Sequence, residues 1–276
     1  MTAEIMIEHA SGIGRWDEAL QLAERMIPLA RAVMPGSLLP RLLVWTGLIV
    51  LARDDTQRAR ALFEEAWQLS GAERALDATD ATALDLANVH NVILAHTGMG
   101  TYHLSHDDWT RALAFGEQGL TLADRFGYTA WAIHRLIPLI LEARLRLGDY
   151  DRVASLAARL RQQSAALGHR LGLAWATAAE ALLARVKDQR PDAAARLLAA
   201  AAELDTVPFV FHAARMRRNA AQVLAADGDD AGAVRELRVA HDVFVRLGAE
   251  FELRGTRSQL RALGFPRGRR PRGSAH

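Results

Sequence analysis

Small and apolar residues recur at helical spacing along most of the chain, each time after a short segment rich in Gly and Asp. Phe63 and Ala66, for example, stand four and seven positions after Ala59. This spacing places the three side chains on one face of an α-helix, which repeats every 3.6 residues. The pattern therefore predicts amphipathic helices that begin just before each such position.

The turn segments return with a nearly constant period. We define six anchor positions, each the small or branched residue that ends a turn segment: Ala19, Ala59, Ala112, Val153, Ala193 and Ala233. Successive anchors are 40, 53, 41, 40 and 40 residues apart. A fixed period of this length is the signature of stacked helical repeats. We therefore expect an all-α fold over residues 1–264, a right-handed superhelical solenoid of about six helical hairpins with a period near 40.

The segment 147–154, "LGDYDRVA", predicts how two helices of a repeat are joined. Gly148 is suited to the left-handed conformation that ends a helix, and Asp149 or Asp151 is suited to cap the next one. Tyr150 occupies a slot that is aromatic in other repeats as well, where it is expected to fill the space between helices. Further glycines predicted to end helices are Gly127, Gly168 and Gly248.

Twelve positions before the anchors, in the first helix of each repeat, the residues are mostly small: Gly47, Gly100, Ala181 and Ala221, with Leu141 as the exception. We expect two helices to approach closely there. One interval between anchors carries 13 extra residues, which either lengthen a surface loop or extend the following helix. We favour a helix from about Asp80 to Leu104, with Asp80 as its N-cap.

The motifs "GRWDEALQLAERM" and "GDYDRVASLAARL" resemble tetratricopeptide repeats (TPRs). The usual TPR period is about 34 residues, so longer helices are implied, and HEAT-like pairing, with a period of about 40 to 47, is the alternative. The Arg- and Ala-rich repeats, together with the final segment from "FVRLGAEFELRG" onward, resemble the helical sensor region of large LuxR-type ATP-dependent bacterial regulators. Two parts of that family are not found here: a "GxxxxGK[ST]" phosphate loop and a helix-turn-helix module after Gly273. ATP hydrolysis and direct DNA binding are accordingly not expected of this chain.

Composition and charge narrow the functional classes. Half of the 276 residues are apolar, which is enough for a sizeable core. The net charge is only +2, and a single lysine accompanies 33 arginines, so the high isoelectric point is a compositional bias and not a nucleic-acid footprint. Cysteine is absent, which excludes disulfides and thiolate chemistry.

No signal-peptide pattern opens the sequence, and the longest apolar runs, such as residues 42–52, are too short to cross a bilayer. We expect a cytoplasmic protein without membrane contact. The basic segment 265–276 is expected to be a solvated tail or linker, with nucleic-acid contact or another charged partner as the alternatives.

The strongest catalytic candidate is the stretch 96–108, "HTGMGTYHLSHDD". His103 and His106 are three residues apart and suited to share a helix face, as metal ligands sometimes do, but a third ligand would have to come from elsewhere. The alternative, which we favour, is a helix end in which an Asp caps the helix at Trp109 and the histidines pack. No "GxSxG" or "HExxH" motif occurs. We therefore expect no catalysis, no metal and no cofactor.

In stacked helical hairpins the first helices line the concave side. Residues eighteen, fifteen and eleven positions before five anchors form this predicted inner stripe: Arg41, Val44, Leu48; Leu94, Thr97, Thr101; Arg135, Pro138, Glu142; Trp175, Ala178, Leu182; and Arg215, Arg218, Gln222. From these, the candidate binding residues are Arg41, Thr97, Thr101, Arg135, Trp175, Arg215, Arg218 and Gln222.

The arginines of the stripe are expected to be exposed in a shared groove around Trp175, where they would bind an acidic peptide or an anionic small molecule with a flat ring. The alternative is that they are ordinary surface residues in an Arg-rich chain. The favoured function is a non-catalytic module, the ligand- or protein-sensing region of a LuxR-type regulator or a free-standing relative. The alternatives are an independent TPR adaptor for an acidic peptide, and an enzyme or small-molecule-sequestering protein on the same scaffold.

Overall fold

In the computed structural model, which describes residues 3–73, 86–186 and 192–265, the chain is α-helical with short connections, and these residues contain no strand. The helices are α1 (Ala3–Gly12), α2 (Trp16–Val33), α3 (Leu39–Ala52), α4 (Thr56–Ser70), α5 (Leu86–Ser105), α6 (Trp109–Phe126), α7 (Thr129–Trp131), α8 (Ile137–Leu147), α9 (Tyr150–Ala166), α10 (Arg170–Val186), α11 (Ala193–Thr206), α12 (Val210–Ala226), α13 (Asp230–Leu247) and α14 (Glu250–Ala262). A π-helical turn, Ala132–Leu136, joins α7 to α8. The expected all-α class is confirmed.

The Gly/Asp segments terminate and start helices as predicted. Gly127, Gly148 and Gly248 are left-handed C-caps with φ between 67° and 75°. The side chains of Asp55, Asp108 and Asp229 accept hydrogen bonds from backbone N–H groups three residues on, at 2.8 to 3.2 Å. Asp149 also stands at an N-cap position but makes no capping hydrogen bond, because its carboxylate pairs with Arg144.

All six anchors are buried, and five of them are the fourth residue of their helix. Close approach is most evident where Phe63 of α4 packs over α3. A Cβ added to Gly47 would lie 2.5 Å from the Phe63 ring, so the missing side chain makes room for the aromatic one. The small residues twelve positions before the anchors therefore have the packing role that the sequence predicted.

Helices pack against their neighbours in chain order and form two layers. We call α3, α5, α8, α10, α12 and α14, together with α1, the inner layer. Within it α3 packs against α5, α5 against α8, α8 against α10 and α12 against α14. The outer layer, which carries the anchors, consists of α2, α4, α6, α9, α11 and α13.

The two ends of the helical array meet. Helix α14 packs against α3, and the Arg53 Nε–H donates to the carbonyl of Leu247, 194 residues away in sequence. Gly14 lies against α12 and α13, where a Cβ would come within 2.6 Å of Val210 and 3.1 Å of Leu247. Its φ of 81° is a second reason for glycine at this position. The inner layer therefore surrounds a space that is partly open to solvent, and it does not form a groove with two free ends.

Two expectations fall partly on residues that the structure does not describe. Asp80, the predicted start of the extended helix, lies outside the described residues, and α5 is described from Leu86 to Ser105. The predicted tail lies outside them as well, except for Phe265, whose ring is 4.8 Å from the guanidinium carbon of Arg238.

None of the helices described is long and apolar enough to span a bilayer.

The anchors predict a sharp difference between two neighbouring alanines. Ala233 is fully buried on α13, whereas Ala231 on the same helix is exposed. Replacing Ala233 by Leu should lower the free energy of unfolding by about 1 to 3 kcal/mol through overpacking. Ala231→Leu should leave it nearly unchanged. Urea denaturation of both variants measures this, and equal effects at the two sites would contradict the assigned register.

Candidate functional site

A cavity of about 610 Å³ lies inside the inner layer. Side chains from α1, α3, α5, the π-turn and α8, α10, α12 and α14 line it. A second cavity of about 330 Å³ adjoins it between α8, α10 and α12. Both cavities are lined by Trp175, Glu142 and Arg215, so these residues stand between the two spaces.

Twelve of the fifteen residues of the predicted inner stripe line one or both cavities, so the spacing rule located the inner face. In the larger cavity these include Thr97, Thr101 and Arg135, whereas Gln222 lines only the smaller one. The exceptions are Arg41, Val44 and Leu94. The last two are fully buried against neighbouring helices.

Arg41 does not face either cavity. Its guanidinium pairs with Glu4 of α1 at 3.1 Å and donates to the Asn91 side chain of α5 at 2.8 Å. The Asn91 amide in turn donates to the carbonyl of Gly36 at 3.0 Å. Arg41 thus ties α1 and α5 to α3, and the expectation that it belongs to the ligand groove is wrong.

Arg215 and Arg218 line the cavity but are not free. Arg215 donates to Glu142 at 2.7 Å and pairs with Glu252 at 3.0 Å, and Arg218 also pairs with Glu252. The arginine side chains are only 18% and 13% exposed. The expectation of exposed arginines is therefore wrong at these positions, because two carboxylates on facing helices neutralise them.

The local charges explain the ionisation of this network. Burial alone would disfavour a charged Glu142, but the charge and hydrogen bond of Arg215 lower the pKa of that carboxyl below its usual value. The charges of Glu142 and Glu252, together with the hydrogen bond to Glu142, raise the pKa of Arg215. Glu142 and Arg215 are therefore both ionised at neutral pH, and the ion pairs of Arg215 tie α8, α12 and α14 together across the cavity wall.

Arg135 is the exception among the enclosed arginines. No hydrogen bond or ion pair connects it to any residue in the described ranges. Its guanidinium carbon lies 4.3 Å from the centre of the Trp45 ring, a cation–π contact. Burial lowers the pKa of Arg135 to about 10, with the charge of Glu8 opposing this. Arg135 is therefore still a cation at neutral pH.

The π-turn accounts for the position of Arg135. Pro138 has no N–H, so it cannot bond the carbonyl four residues earlier, that of His134. The wider π-turn just before Pro138 accommodates this gap and turns His134 and Arg135 toward the cavity. The turn before Pro138 is therefore part of the cavity wall.

The rest of the wall is largely aromatic and aliphatic, and it also carries the charged residues Glu8, Asp107 and Arg146. Trp16 and Phe211 pack with their ring centres 5.2 Å apart, and Trp175 lies 5.7 Å from His212. Burial lowers the pKa of His212 to about 3 and holds that of His134 well below its ordinary value. Both imidazoles are therefore neutral at pH 7, and His134 Nε2 and His212 Nδ1 have no hydrogen-bond partner among the described residues.

The two threonines bond within their own helix. Thr97 Oγ1 donates to the carbonyl of Ile93 at 3.0 Å, and Thr101 Oγ1 donates to that of Thr97 at 2.7 Å. Because a hydroxyl that donates still has free lone pairs, each can accept a hydrogen bond from a ligand. Their role in a site is therefore that of acceptors.

Several cavity residues were not predicted from the sequence, notably Glu8, His212 and Glu252. Glu8 and Glu252 lie on α1 and α14, which have no complete repeat of their own from which the inner positions could be counted. The sequence contained one indication of the charge network: Glu142 stands in the predicted inner stripe together with Arg215 and Arg218, so a carboxylate near these arginines could have been expected.

The histidine-rich stretch 96–108 is a packing cluster. His103 stacks on Phe115 with ring centres 5.4 Å apart, and His106 Nδ1 lies 2.8 Å from the Tyr102 carbonyl. Asp108 caps the helix that begins at Trp109, as the alternative predicted. Within the part of the chain that the structure describes, no group of three His, Cys, Asp or Glu side chains is placed to hold a metal ion.

The charge network leads to a prediction about stability. Glu252 is only 4% exposed and is paired with two arginines, so Glu252→Gln should lower the free energy of unfolding by about 3 to 5 kcal/mol. The matched control is Glu250→Gln on the same helix, where both partners of the ion pair with Arg257 are 48% exposed. That change should cost less than about 1 kcal/mol. Similar losses for the two variants in urea titrations would mean that the network contributes little.

The buried histidines predict that stability falls on acidification. Burial lowers the pKa of His90 and His96 to about 4, so below the ordinary value of 6.5 the unfolded chain binds protons before the folded chain does. Stability is therefore full above pH 6.5 and is lost as the pH falls from 6.5 toward 4. Each of these histidines should contribute a loss of about 1 to 2 kcal/mol between pH 7 and pH 5.

Unfolding free energies at pH 7 and pH 5 test this expectation. His96 packs edge-on against Trp67, with ring centres 4.9 Å apart, so Phe is a suitable replacement in shape. His96→Phe should make the pH dependence shallower. An unchanged dependence in this variant would exclude His96 as its source.

Comparison with known proteins assigns neither a family nor a function to the chain. No protein-family model matches the sequence, and no curated protein matches it significantly. The function must therefore be argued from the cavity and its side chains.

Proposed function

We propose that this protein is a non-catalytic ligand-binding module that encloses a small organic molecule in its inner cavity. The observation that carries the proposal is the cavity of about 610 Å³, bounded by Trp16, Trp175 and Phe211 and by a few convergent polar groups. Small-molecule sites are typically about 300 to 1,000 Å³, mostly apolar, with a small number of polar groups that set orientation. The walls described above have this composition.

The enclosure favours a small molecule over a peptide. A peptide groove has to admit a chain from outside, but α14 packs against α3, and Arg53, directly after α3, donates to the Leu247 carbonyl. These contacts join the ends of the array. Arg215 and Arg218, which an acidic peptide would need, already have carboxylate partners. An independent adaptor for acidic peptides is therefore the weaker candidate, and no arrangement of described residues favours an enzyme.

The finer architecture belongs to the same proposal. We assign the chain to a TPR-like solenoid of about six hairpins, which the 40-residue period and the alternation of inner and outer helices support. In that reading it is a sensor region of a LuxR-type regulator, or a free-standing relative, in the cytoplasm. Ligand binding would act on the relative positions of the inner helices, without nucleic-acid contact by this chain.

The test uses N-phenyl-1-naphthylamine, a neutral aromatic dye whose fluorescence rises in apolar surroundings. The protein should bind it saturably. Thr101→Trp places an indole in the cavity and should abolish binding, because Thr101 lines the cavity wall. Fluorescence titration measures this, and circular dichroism checks that the variant is folded.

The matched control is Thr121→Trp on α6. Thr121 is exposed and, like Thr101, donates its hydroxyl to a carbonyl four residues earlier, here that of Glu117 at 2.9 Å. This variant should bind the dye as the unmodified protein does. If the dye does not bind at all, or binds equally to both variants, the cavity is not a ligand site and the proposed function is wrong.

A further inference from the structure

We propose that Arg135 anchors a ligand through one anionic group, and that Glu8 is the resident countercharge with which this group competes. The proposal rests on the proposed function, since it assumes that the cavity binds a small molecule. It names the ligand class: a flat aromatic or polycyclic molecule with a single carboxylate or similar acid group. The sequence predicts a cluster of exposed arginines, whereas in the structure Arg135 is the cavity arginine that is shielded by the protein and has no carboxylate partner among the described residues.

The first argument concerns which arginines in the cavity wall already have carboxylate partners. Arg215 and Arg218 share Glu142 and Glu252, so an incoming anion would have to displace a partly buried ion pair. Arg135 has no such partner among the described residues. The Nε–H of Arg135 is buried and has no acceptor among the described residues, and an unsatisfied buried donor costs free energy. An acid group of a ligand would accept from this donor and from a neighbouring N–H of the same guanidinium in paired hydrogen bonds.

The second argument is the surroundings of Arg135. One face of its guanidinium is covered by Trp45, which fixes its position. His134 and His212 also line the cavity wall within reach of the charge of Arg135, and they are neutral and so do not compete for an anion. Their unpartnered ring nitrogens lie beside the same space and can bond a polar substituent of the ligand. Around Arg135 the site thus combines a cation with neutral polar and aromatic groups, and Glu8 is a carboxylate whose charge acts on it.

Glu8 is the third element. It lines the same cavity from α1, and its charge and that of Arg135 act on each other, although the two side chains form no ion pair within 4 Å. Burial raises the pKa of Glu8, and Glu4 on the same helix adds to this, which weakens Glu8 as a partner for Arg135. The electrostatic interaction between Glu8 and Arg135 is therefore one that a ligand anion can replace.

The experiment compares two dyes with the same rings. 8-Anilinonaphthalene-1-sulfonate carries one anionic group, and N-phenyl-1-naphthylamine lacks it. Arg135→Gln should weaken binding of the sulfonate by about ten- to a hundredfold, as for the loss of a charged hydrogen-bonded pair, and should leave the neutral dye nearly unaffected. Glu8→Gln should strengthen sulfonate binding by removing the competing charge.

Arg146→Gln tests the competing assignment. Arg146 is exposed, lines both cavities and has no ion pair among the described residues, so it is the alternative anchor at the cavity edge. Arg146→Gln should weaken sulfonate binding much less than Arg135→Gln does. If Arg146→Gln and not Arg135→Gln weakens sulfonate binding, or if Arg135→Gln weakens both dyes alike, the assignment of Arg135 is wrong while the cavity remains a binding site. If neither dye binds to the unmodified protein, the proposed function itself fails.

Discussion

The cavity depends on the contact between the two ends of the helical array. Gly14 allows the turn after α1 to lie against Val210 and Leu247, and the guanidinium of Arg53 bonds the carbonyl at the end of α13. Without this contact the inner helices would border an open groove, and solvent would reach the charged residues on it. With it, the same residues surround a space of small-molecule size.

Enclosure changes what the inner charges can do. An exposed arginine on an open groove stays hydrated and can bind any anion. The N–H donors of an enclosed arginine need acceptors from the protein, because unsatisfied buried donors cost free energy. The chain meets this constraint by placing Glu142 and Glu252 on helices that face Arg215 and Arg218. The resulting network binds three inner helices together, so these arginines stabilise the cavity wall, and selection of the ligand falls to other groups.

The sequence was sufficient for the fold class and the inner face, and insufficient for the chemistry of the site. Periodicity located the anchors, and twelve of the fifteen stripe residues line a cavity, because helix packing follows spacing along the chain. It could not show that Arg215 pairs with Glu252, because that contact depends on how the array curves and closes, and curvature accumulates from small rotations between repeats. The π-turn at Arg135 was missed for a similar reason, because Pro138 indicates that the helix is interrupted but does not indicate that the interruption is a π-helical turn.

The inner layer is closely packed along most of its length, yet α10 and α12 leave room between them for the smaller cavity. Trp175 projects from α10 at this point, and its ring lies 5.3 Å from the guanidinium carbon of Arg215. A ligand in the larger cavity would therefore press on residues that also line the smaller one. Since Arg215 joins α12 to both α8 and α14, a shift of this side chain would reach three helices at once. The same ion pairs that neutralise the arginines thereby offer a physical route from an occupied cavity to the arrangement of the inner helices.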